Sequence, residues 1–182
     1  MAVLSNREAR PLRGLLAGAA AGLFAAWTMN QFQTLWSKAA EKIQNRDRSN
    51  QQDEHQQQAQ SSEDSEDATM KAAGKLATIL LGRELTHEEK EKAGPFVHYA
   101  FGTFSGAVYG LMSEYVPAAR LGFGSAFGAA LFLVADELSV PALGLSRSPD
   151  QYPLSSHLYG LASHFVYGLS TEAVRSGIRR VA

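Results

Sequence analysis

Six polar side chains fall inside or beside long apolar runs of this sequence. They are Asn30, His98, Asp136, Glu137, His157 and His164. Imidazoles and carboxylates can exchange protons near neutral pH or ligate metals. Ionisable groups inside a bilayer cost about 3 kcal/mol each on insertion scales, so they need a reason to be there. This set is therefore the candidate site that the sequence offers.

Asp136 and His164 are the members of the set most suited to act together. The depth of each is measured from the end of its helix on the side opposite the chain termini, the outer side. At ~1.5 Å rise per residue, Asp136 lies roughly 14 Å and His164 roughly 15 Å below that end. Antiparallel neighbours would bring this acid and this imidazole to one depth. His98, His157 and Asn30 fall towards the same end, so the polar residues are predicted to converge on the outer half of a helical bundle.

Four apolar segments must position these residues. The first runs over 14–26 and continues as an amphipathic stretch to Trp36, and the others cover 96–112, 121–145 and 154–169. Each is near the ~17–20 residues that span a bilayer. A chain of 182 residues is too small to bury four helices that are apolar nearly all round. We therefore expect an all-α fold, a four-helix transmembrane bundle with an extramembrane insert between helices 1 and 2; a soluble bundle is the lesser alternative.

Glycine recurs every four residues in the first two segments. In a bilayer such small-residue faces let two helices approach closely. They predict helix packing and, as a possible partner, a second copy of the chain; the residues are Gly14, Gly18, Gly22, Gly102, Gly106 and Gly110.

A polar insert over 38–94 separates an N-terminal segment with the first span, 1–37, from a three-helix region, 95–182. Residues 49–67 include QQDEHQQQAQSSEDSED and have almost no apolar surface, which predicts disorder. A short amphipathic helix is predicted over 70–81, ended by Gly82. Thr86 and Glu89 form a capping box for the next helix. Gly94-Pro95 is predicted to end that helix and start the second span.

Basic residues in the short flanks predict the orientation. They cluster before helix 1, between helices 2 and 3 and after helix 4, which four spans would place on one side; they are Arg7, Arg10, Arg13, Arg120, Arg175, Arg179 and Arg180. The positive-inside rule makes that side the cytoplasm, with both termini there. A cleaved signal peptide is the competing interpretation of the N-terminus, although Trp27 disturbs the cleavage pattern after Ala26.

Composition excludes several chemistries. The chain has no cysteine, so disulfides, thiolate metal sites and cysteine nucleophiles are ruled out. Its formal net charge is −1, which creates no global field for nucleic acid. Nucleotide-binding loops, GxSxG and HExxH are missing from the sequence, so we expect no enzyme activity.

Spaced residues in the C-terminal half carry a resemblance to a known family. They are His98, Tyr109-Gly110, Glu114-Tyr115-Val116-Pro117, Pro141-Ala142-Leu143-Gly144-Leu145, the stretch Gly160 to His164, and the stretch Glu172 to Arg175. In this order they resemble the YagU-like family of uncharacterised bacterial inner-membrane proteins. The resemblance implies a four-helix protein of the bacterial inner membrane, and it implies no reaction. It does not extend to the insert.

Three hypotheses compete for the polar set. The favoured one is interhelical bonding, for example from His164 to Asp136, worth on the order of 1 kcal/mol in membranes. It describes a structural or accessory protein of envelope or ion homeostasis, without a cofactor. The second is a proton or cation conductor that uses the Asp136–His164 pair. The third is metal or haem binding through His98, His157 and His164.

A second group of charges lies at the opposite end of the predicted bundle. Glu172 and Arg175 are three residues apart on one helix, a spacing that favours an ion pair. We expect surface ion pairs and contact with lipid head groups among Glu114, Arg120, Glu172, Arg175 and Arg179.

Overall fold

A computed structural model describes residues 10–50 and 67–181, with side chains described outside 43–50. Arg7 and nearly all of the stretch predicted to be disordered lie outside these residues. Every regular element within the described ranges is helical, which confirms the all-α prediction. The elements are α1 (Pro11–Asn50), α2 (Ala68–Leu81), α3 (His87–Tyr115), a 3₁₀ helix (Pro117–Gly124), α4 (Ser125–Leu131), a π-helix (Phe132–Ser139), α5 (Val140–Ala142), a 3₁₀ turn (Pro149–Gln151) and α6 (Leu154–Val181).

The helix ends in the insert follow from local chemistry. The Asp67 side chain accepts a hydrogen bond from the Thr69 amide at the start of α2, and Gly82 ends that helix at φ +66°. The capping box of Thr86 and Glu89 at the start of α3 is confirmed.

The predicted helix break at Gly94-Pro95 is wrong. Helix α3 continues through Pro95 to Tyr115. A proline inside a helix removes one backbone hydrogen bond, and the helix survives when other contacts hold it. Here Gly94 is buried against α2, where an added Cβ would lie 3.0 Å from Met70 Cγ.

The predicted glycine faces of α1 and α3 pack against each other. A Cβ on Gly18 would lie 2.2 Å from the Gly106 oxygen, and one on Gly22 would lie 2.4 Å from the Gly102 oxygen. The residue order shows that the two helices are antiparallel. Both glycine sets are therefore used within one chain, while an oligomer of the chain stays a prediction.

A second close contact joins α4 to α6. A Cβ on Gly128 would lie 2.2 Å from the His164 oxygen, and one on Gly168 would lie 2.3 Å from the Gly124 oxygen. The sequence predicts that the third apolar helix begins at Leu121. This start is wrong, because Gly122 and Phe123 adopt positive φ values of 61° and 55°. The turn at these residues directs α4 back along α6.

Helices α3 and α6 run parallel to each other and antiparallel to α1. Contacts of Thr28 with Ser170 and of Trp36 with Tyr159 make α1 antiparallel to α6. The hydrogen bonds from Tyr109 to Glu172 and from Tyr167 to Gly102 show that α3 and α6 are parallel. The start of α1 and the end of α6 therefore lie at one end of the bundle, here called the terminal end. The other end, covered by α2, is the α2 end.

The bundle is packed with small residues on its inside and large apolar ones on its outside. Its buried face on α1 includes Ala17, Ala21 and Ala25, whereas Leu16 and Phe24 are exposed. Exposed leucine, phenylalanine or valine also covers α3, α6 and the segment between them. This arrangement is typical of helices that face lipid, because a water-soluble fold of this size rarely leaves so much apolar surface uncovered.

Two helical stretches in the described ranges are long and apolar enough to cross a membrane, Pro11–Lys42 and Pro117–Ala142. Two of the four predicted spans therefore meet these criteria within the described ranges. Helices α3 and α6 are long enough, but glycine, serine, histidine, tyrosine and charged residues lower their mean hydropathy. Several of those residues make contacts between helices, among them Gly102, Tyr109 and Glu172.

Candidate functional site

A cavity of about 1150 Å³ lies at the α2 end of the bundle. Side chains from α1, α2, α3, the π-helix and α6 line it. The structure places all six polar residues singled out from the sequence along its wall, namely Asn30, His98, Asp136, Glu137, His157 and His164. A large, mainly apolar cavity with a few converging polar groups is the usual form of a ligand site.

The π-helix presents both carboxylates to this cavity. The Val140 amide bonds to the Ala135 carbonyl five residues back, so the turns here are wider than in an α-helix. Asp136 and Glu137 are adjacent in sequence and both line the cavity. Single π-helical turns within α-helices recur at functional sites.

His157 holds the carboxylate of Glu137. Its Nδ1 lies 2.7 Å from Glu137 Oε1 and its Nε2 lies 3.1 Å from the Pro149 carbonyl oxygen. A carbonyl only accepts, so Nε2 carries a proton, and a second proton must lie between Nδ1 and the carboxyl group. Glu137 and His157 therefore form a charge-balanced pair at the mouth of the cavity.

Asp136 has a weaker partner. His164 Nδ1 lies 3.6 Å from Asp136 Oδ2, but it lies 2.9 Å from the Gly160 carbonyl oxygen. The Nδ1 proton therefore goes to Gly160 within the same helix. His164 is buried, whereas the Asp136 side chain is 44% exposed along the cavity. The predicted pair is close in space without a direct hydrogen bond.

His98 and Asn30 complete the polar wall. Asn30 Nδ2 donates to the Tyr99 hydroxyl oxygen at 3.1 Å. His98 Nε2 is buried and has no hydrogen-bond partner within the described residues. A buried polar atom without a partner is uncommon in folded proteins, which makes this nitrogen a candidate contact for a ligand.

An aromatic layer closes the cavity towards the terminal end. It consists of Tyr109, Phe127 and Tyr167. The ring centroids of Tyr109 and Phe127 lie 4.4 Å apart, and those of Phe127 and Tyr167 lie 6.2 Å apart. The Tyr167 hydroxyl donates to the Gly102 carbonyl at 2.6 Å, which ties α6 to α3. Tyr109 and Tyr167 are almost completely buried. Below the cavity the helices are thus in direct contact.

A family model described as "Protein of unknown function (DUF1440)" matches residues 79–173, more than half of the 182-residue chain. The chain belongs to the DUF1440 family. The matched region contains five of the six cavity residues, all except Asn30. No curated protein and no solved structure matches this DUF1440 chain.

The DUF1440 chain also has a buried ion pair on the other side of the aromatic layer. Arg175 Nε and Nη2 donate to the two carboxylate oxygens of Glu172 at 2.7 Å and 2.8 Å, and the Tyr109 hydroxyl donates to Oε2 at 2.8 Å. Glu172 is 5% exposed and Arg175 is 4% exposed. The prediction of surface ion pairs is wrong here, because Tyr109 from α3 covers them.

A second paired carboxylate lies at the terminal end of this DUF1440 protein. Arg179 donates to both oxygens of Glu114 at 2.8 Å, and the Arg10 amide donates to Oε2 at 3.1 Å. Burial alone would raise the pKa of Glu114, but these donors outweigh it and hold the pKa below its ordinary value. This pair joins the ends of α1, α3 and α6, so it too is structural rather than a surface contact.

The metal hypothesis gains no support from this geometry. Within the described ranges no three histidine, aspartate or glutamate side chains are grouped closely enough to hold a metal ion. His157 is occupied by Glu137 and Pro149, and one nitrogen of His164 by Gly160.

Sequence reasoning missed three residues that shape this DUF1440 site. Lys75 of α2 lines the cavity and donates to the Leu143 carbonyl beyond α5, which ties α2 over the opening. Tyr167 forms the floor, and Tyr109 separates the two polar regions. The two tyrosines lie on the same helix faces as the packed glycines, a spacing that could have indicated them. No local pattern indicates the contact of Lys75.

Proposed function

We propose that this chain is a four-span protein of the bacterial inner membrane whose cavity at the α2 end binds a ligand. It would serve as an accessory binding protein of the envelope rather than as a conduit, and catalysis is no part of the proposal. The observation that carries it is the cavity itself, with its converging polar side chains and its closure by the aromatic layer. The YagU-like resemblance is compatible with this role and supplies no activity.

The exposed surface supports the four spans. Phe101 and Phe104 on α3 and Leu158 and Phe165 on α6 are exposed, as are the leucines and tryptophans of α1 whose side chains are described. Burying such a surface in lipid is favourable by about 25 cal/mol per Å² relative to water. Helix α1 also supplies the glycines that pack against α3, which supports its place in the folded bundle over a cleaved signal peptide.

The distribution of arginine supports the orientation. Arg10, Arg13, Arg120 and Arg179 all belong to the terminal end or its connections, and the positive-inside rule places that end in the cytoplasm. The cavity and α2 would then face the outer side. Exposed Ile79, Leu80 and Leu81 of α2 suit a helix that rests on the outer membrane–water boundary.

Cysteine labelling tests the cavity directly, because the native chain has no cysteine. Ser139 lines the cavity, whereas Ser113 is 4% exposed beyond the aromatic layer. In intact cells we expect a membrane-impermeant maleimide to label Ser139→Cys and to leave Ser113→Cys unlabelled. Equal labelling of both variants, or no labelling of Ser139→Cys in folded protein, would contradict an outward-opening cavity that is closed below.

A proton or cation conductor is the second candidate, supported by the proximity of Asp136 and His164. Conduction needs a water path past Asp136 to the other side, and the aromatic layer stands in that path. We expect vesicles that contain the purified chain to show the same proton flux as empty vesicles. We also expect Asp136→Asn and His164→Ala to leave this flux unchanged. A flux that the wild-type chain supports and Asp136→Asn abolishes would favour the conductor instead.

A further inference from the structure

The charge of the cavity wall is not balanced by its own residues. Four carboxyl residues and two basic residues line the cavity, namely Asp67, Glu91, Asp136 and Glu137 against Lys75 and Arg147. His157 shares its proton with Glu137, and Asp67 caps α2. The wall therefore attracts a cation more readily than an anion.

Asp136 is the carboxylate best placed to meet such a cation. No hydrogen-bond donor of the described chain lies within bonding distance of it, and its nearest basic atom, His164 Nδ1, is engaged by Gly160. A carboxylate without a donor from the protein can accept charge-assisted hydrogen bonds from a bound cation. Its exposure along the cavity leaves it accessible to a ligand.

Two imidazoles line the same cavity as Asp136. His164 Nδ1 is engaged by the Gly160 carbonyl oxygen and lies 3.6 Å from Asp136 Oδ2. His98 Nε2 is buried and has no hydrogen-bond partner within the described residues. Neither imidazole therefore donates a hydrogen bond to Asp136.

The apolar part of the cavity wall indicates what the uncharged part of the ligand is like. Leu131, Phe132, Val140 and Leu143 line it with apolar surface, together with the Tyr167 ring. We propose that the ligand is an organic cation, a primary ammonium group on an apolar or aromatic body. The ammonium would donate charge-assisted hydrogen bonds to the Asp136 carboxylate, and the body fills the apolar part. This inference rests on the proposed function, since it names the ligand class of that same cavity.

Three probes on the unmodified full chain in lipid nanodiscs test the class. They are 2-phenylethylammonium, its neutral counterpart 2-phenylethanol, and the trimethylated ammonium, which keeps the charge and lacks N–H donors. We expect the primary ammonium to bind about tenfold to a hundredfold more tightly than either analogue, as charge-assisted hydrogen bonds would give. Titration calorimetry against empty nanodiscs subtracts partitioning into lipid. Equal affinity for the alcohol and the ammonium would overturn the proposal.

Two charge-removing variants localise the binding. We expect Asp136→Asn to weaken ammonium binding at least about tenfold. Glu88→Gln removes an exposed carboxylate outside the cavity, where it pairs with Lys92, and should change the affinity less than about twofold because the charge is exposed. Circular dichroism and gel filtration check that both variants fold.

The outcomes separate the ligand class from the proposed function. If Ser139→Cys is labelled from outside but the ammonium does not bind, or if its binding survives Asp136→Asn, the organic-cation proposal is wrong and the cavity stands. If Ser139→Cys in folded protein is not labelled, the binding function itself fails. The wild-type comparison of the three probes does not depend on the folding of any variant.

Discussion

Replacing Gly18 with valine is expected to push α1 away from α3 and to destabilise the bundle strongly. A Cβ at this position would lie 2.2 Å from the Gly106 oxygen and 2.7 Å from Gly110 Cα. Both are backbone atoms, so no side chain can rotate away. We expect the free energy of unfolding to fall by about 3 kcal/mol, the upper part of the range for overpacked sites.

Gly177→Ala is the matched control. Gly177 also lies inside a long helix, but an added Cβ would meet nothing within 4 Å. Alanine favours helix over glycine by about 1 kcal/mol, so this variant should be neutral or slightly more stable. Unfolding by sodium dodecyl sulfate, followed by circular dichroism in mixed micelles, measures both. Similar effects of Gly18→Val and Gly177→Ala would show that the α1–α3 contact is not formed as described.

Replacing Glu172 with alanine is the second change with a large expected effect. The guanidinium of Arg175, 4% exposed, would lose its two-fold hydrogen-bonded partner, and the Tyr109 hydroxyl would lose its acceptor. Leaving one charge of a buried pair alone costs about 3–5 kcal/mol. We expect a loss of stability of that size in the same detergent titration.

Removing the partners together should recover much of this loss. In Glu172→Leu combined with Arg175→Met and Tyr109→Phe, no buried donor or charge of the group remains unpaired. If this triple variant is no more stable than Glu172→Ala, the cost lies in packing and not in the unpaired charge.

The exposed ion pair of Arg83 and Glu89 is the control for the effect of burial. Their side chains are 53% and 39% exposed. The hydrogen bonds from Arg83 lower the pKa of Glu89 to about 2, yet solvent screens an exposed pair, so it contributes little to stability. Arg83→Ala should therefore leave the unfolding midpoint close to that of the unmodified chain.

Local patterns predicted the helices and several of their ends. Asp67, Gly82 and the pair of Thr86 and Glu89 act through bonds to neighbours within a few residues, so their effect is visible in sequence order. The prediction that the helix breaks at Pro95 is wrong. Helix α3 continues through the proline because it also packs against α2, and that contact cannot be seen in the residues next to Pro95.

Mean hydropathy was a weaker guide to the membrane spans than the glycine pattern was to the packing between helices. The apolar outer faces of α3 and α6 share their helices with Tyr109, Glu172 and Arg175, so the average hydropathy falls. The four-residue glycine repeat has no such dilution, because one helix face alone carries it. It indicated the surface of α1 that packs, although it could not say whether the partner was another copy or α3.

By itself, the sequence determined which segments are helical, which faces are small, and which polar residues lie at one end of the chain's apolar segments. These properties depend on residue type and on the 3.6-residue period of the helix. Only the tertiary structure decided that His157 pairs with Glu137, that Asp136 is left facing the cavity, and that Glu172 and Arg175 are buried. Those outcomes depend on the rotation and depth of helices relative to each other, which are set by side-chain packing between residues far apart in the chain.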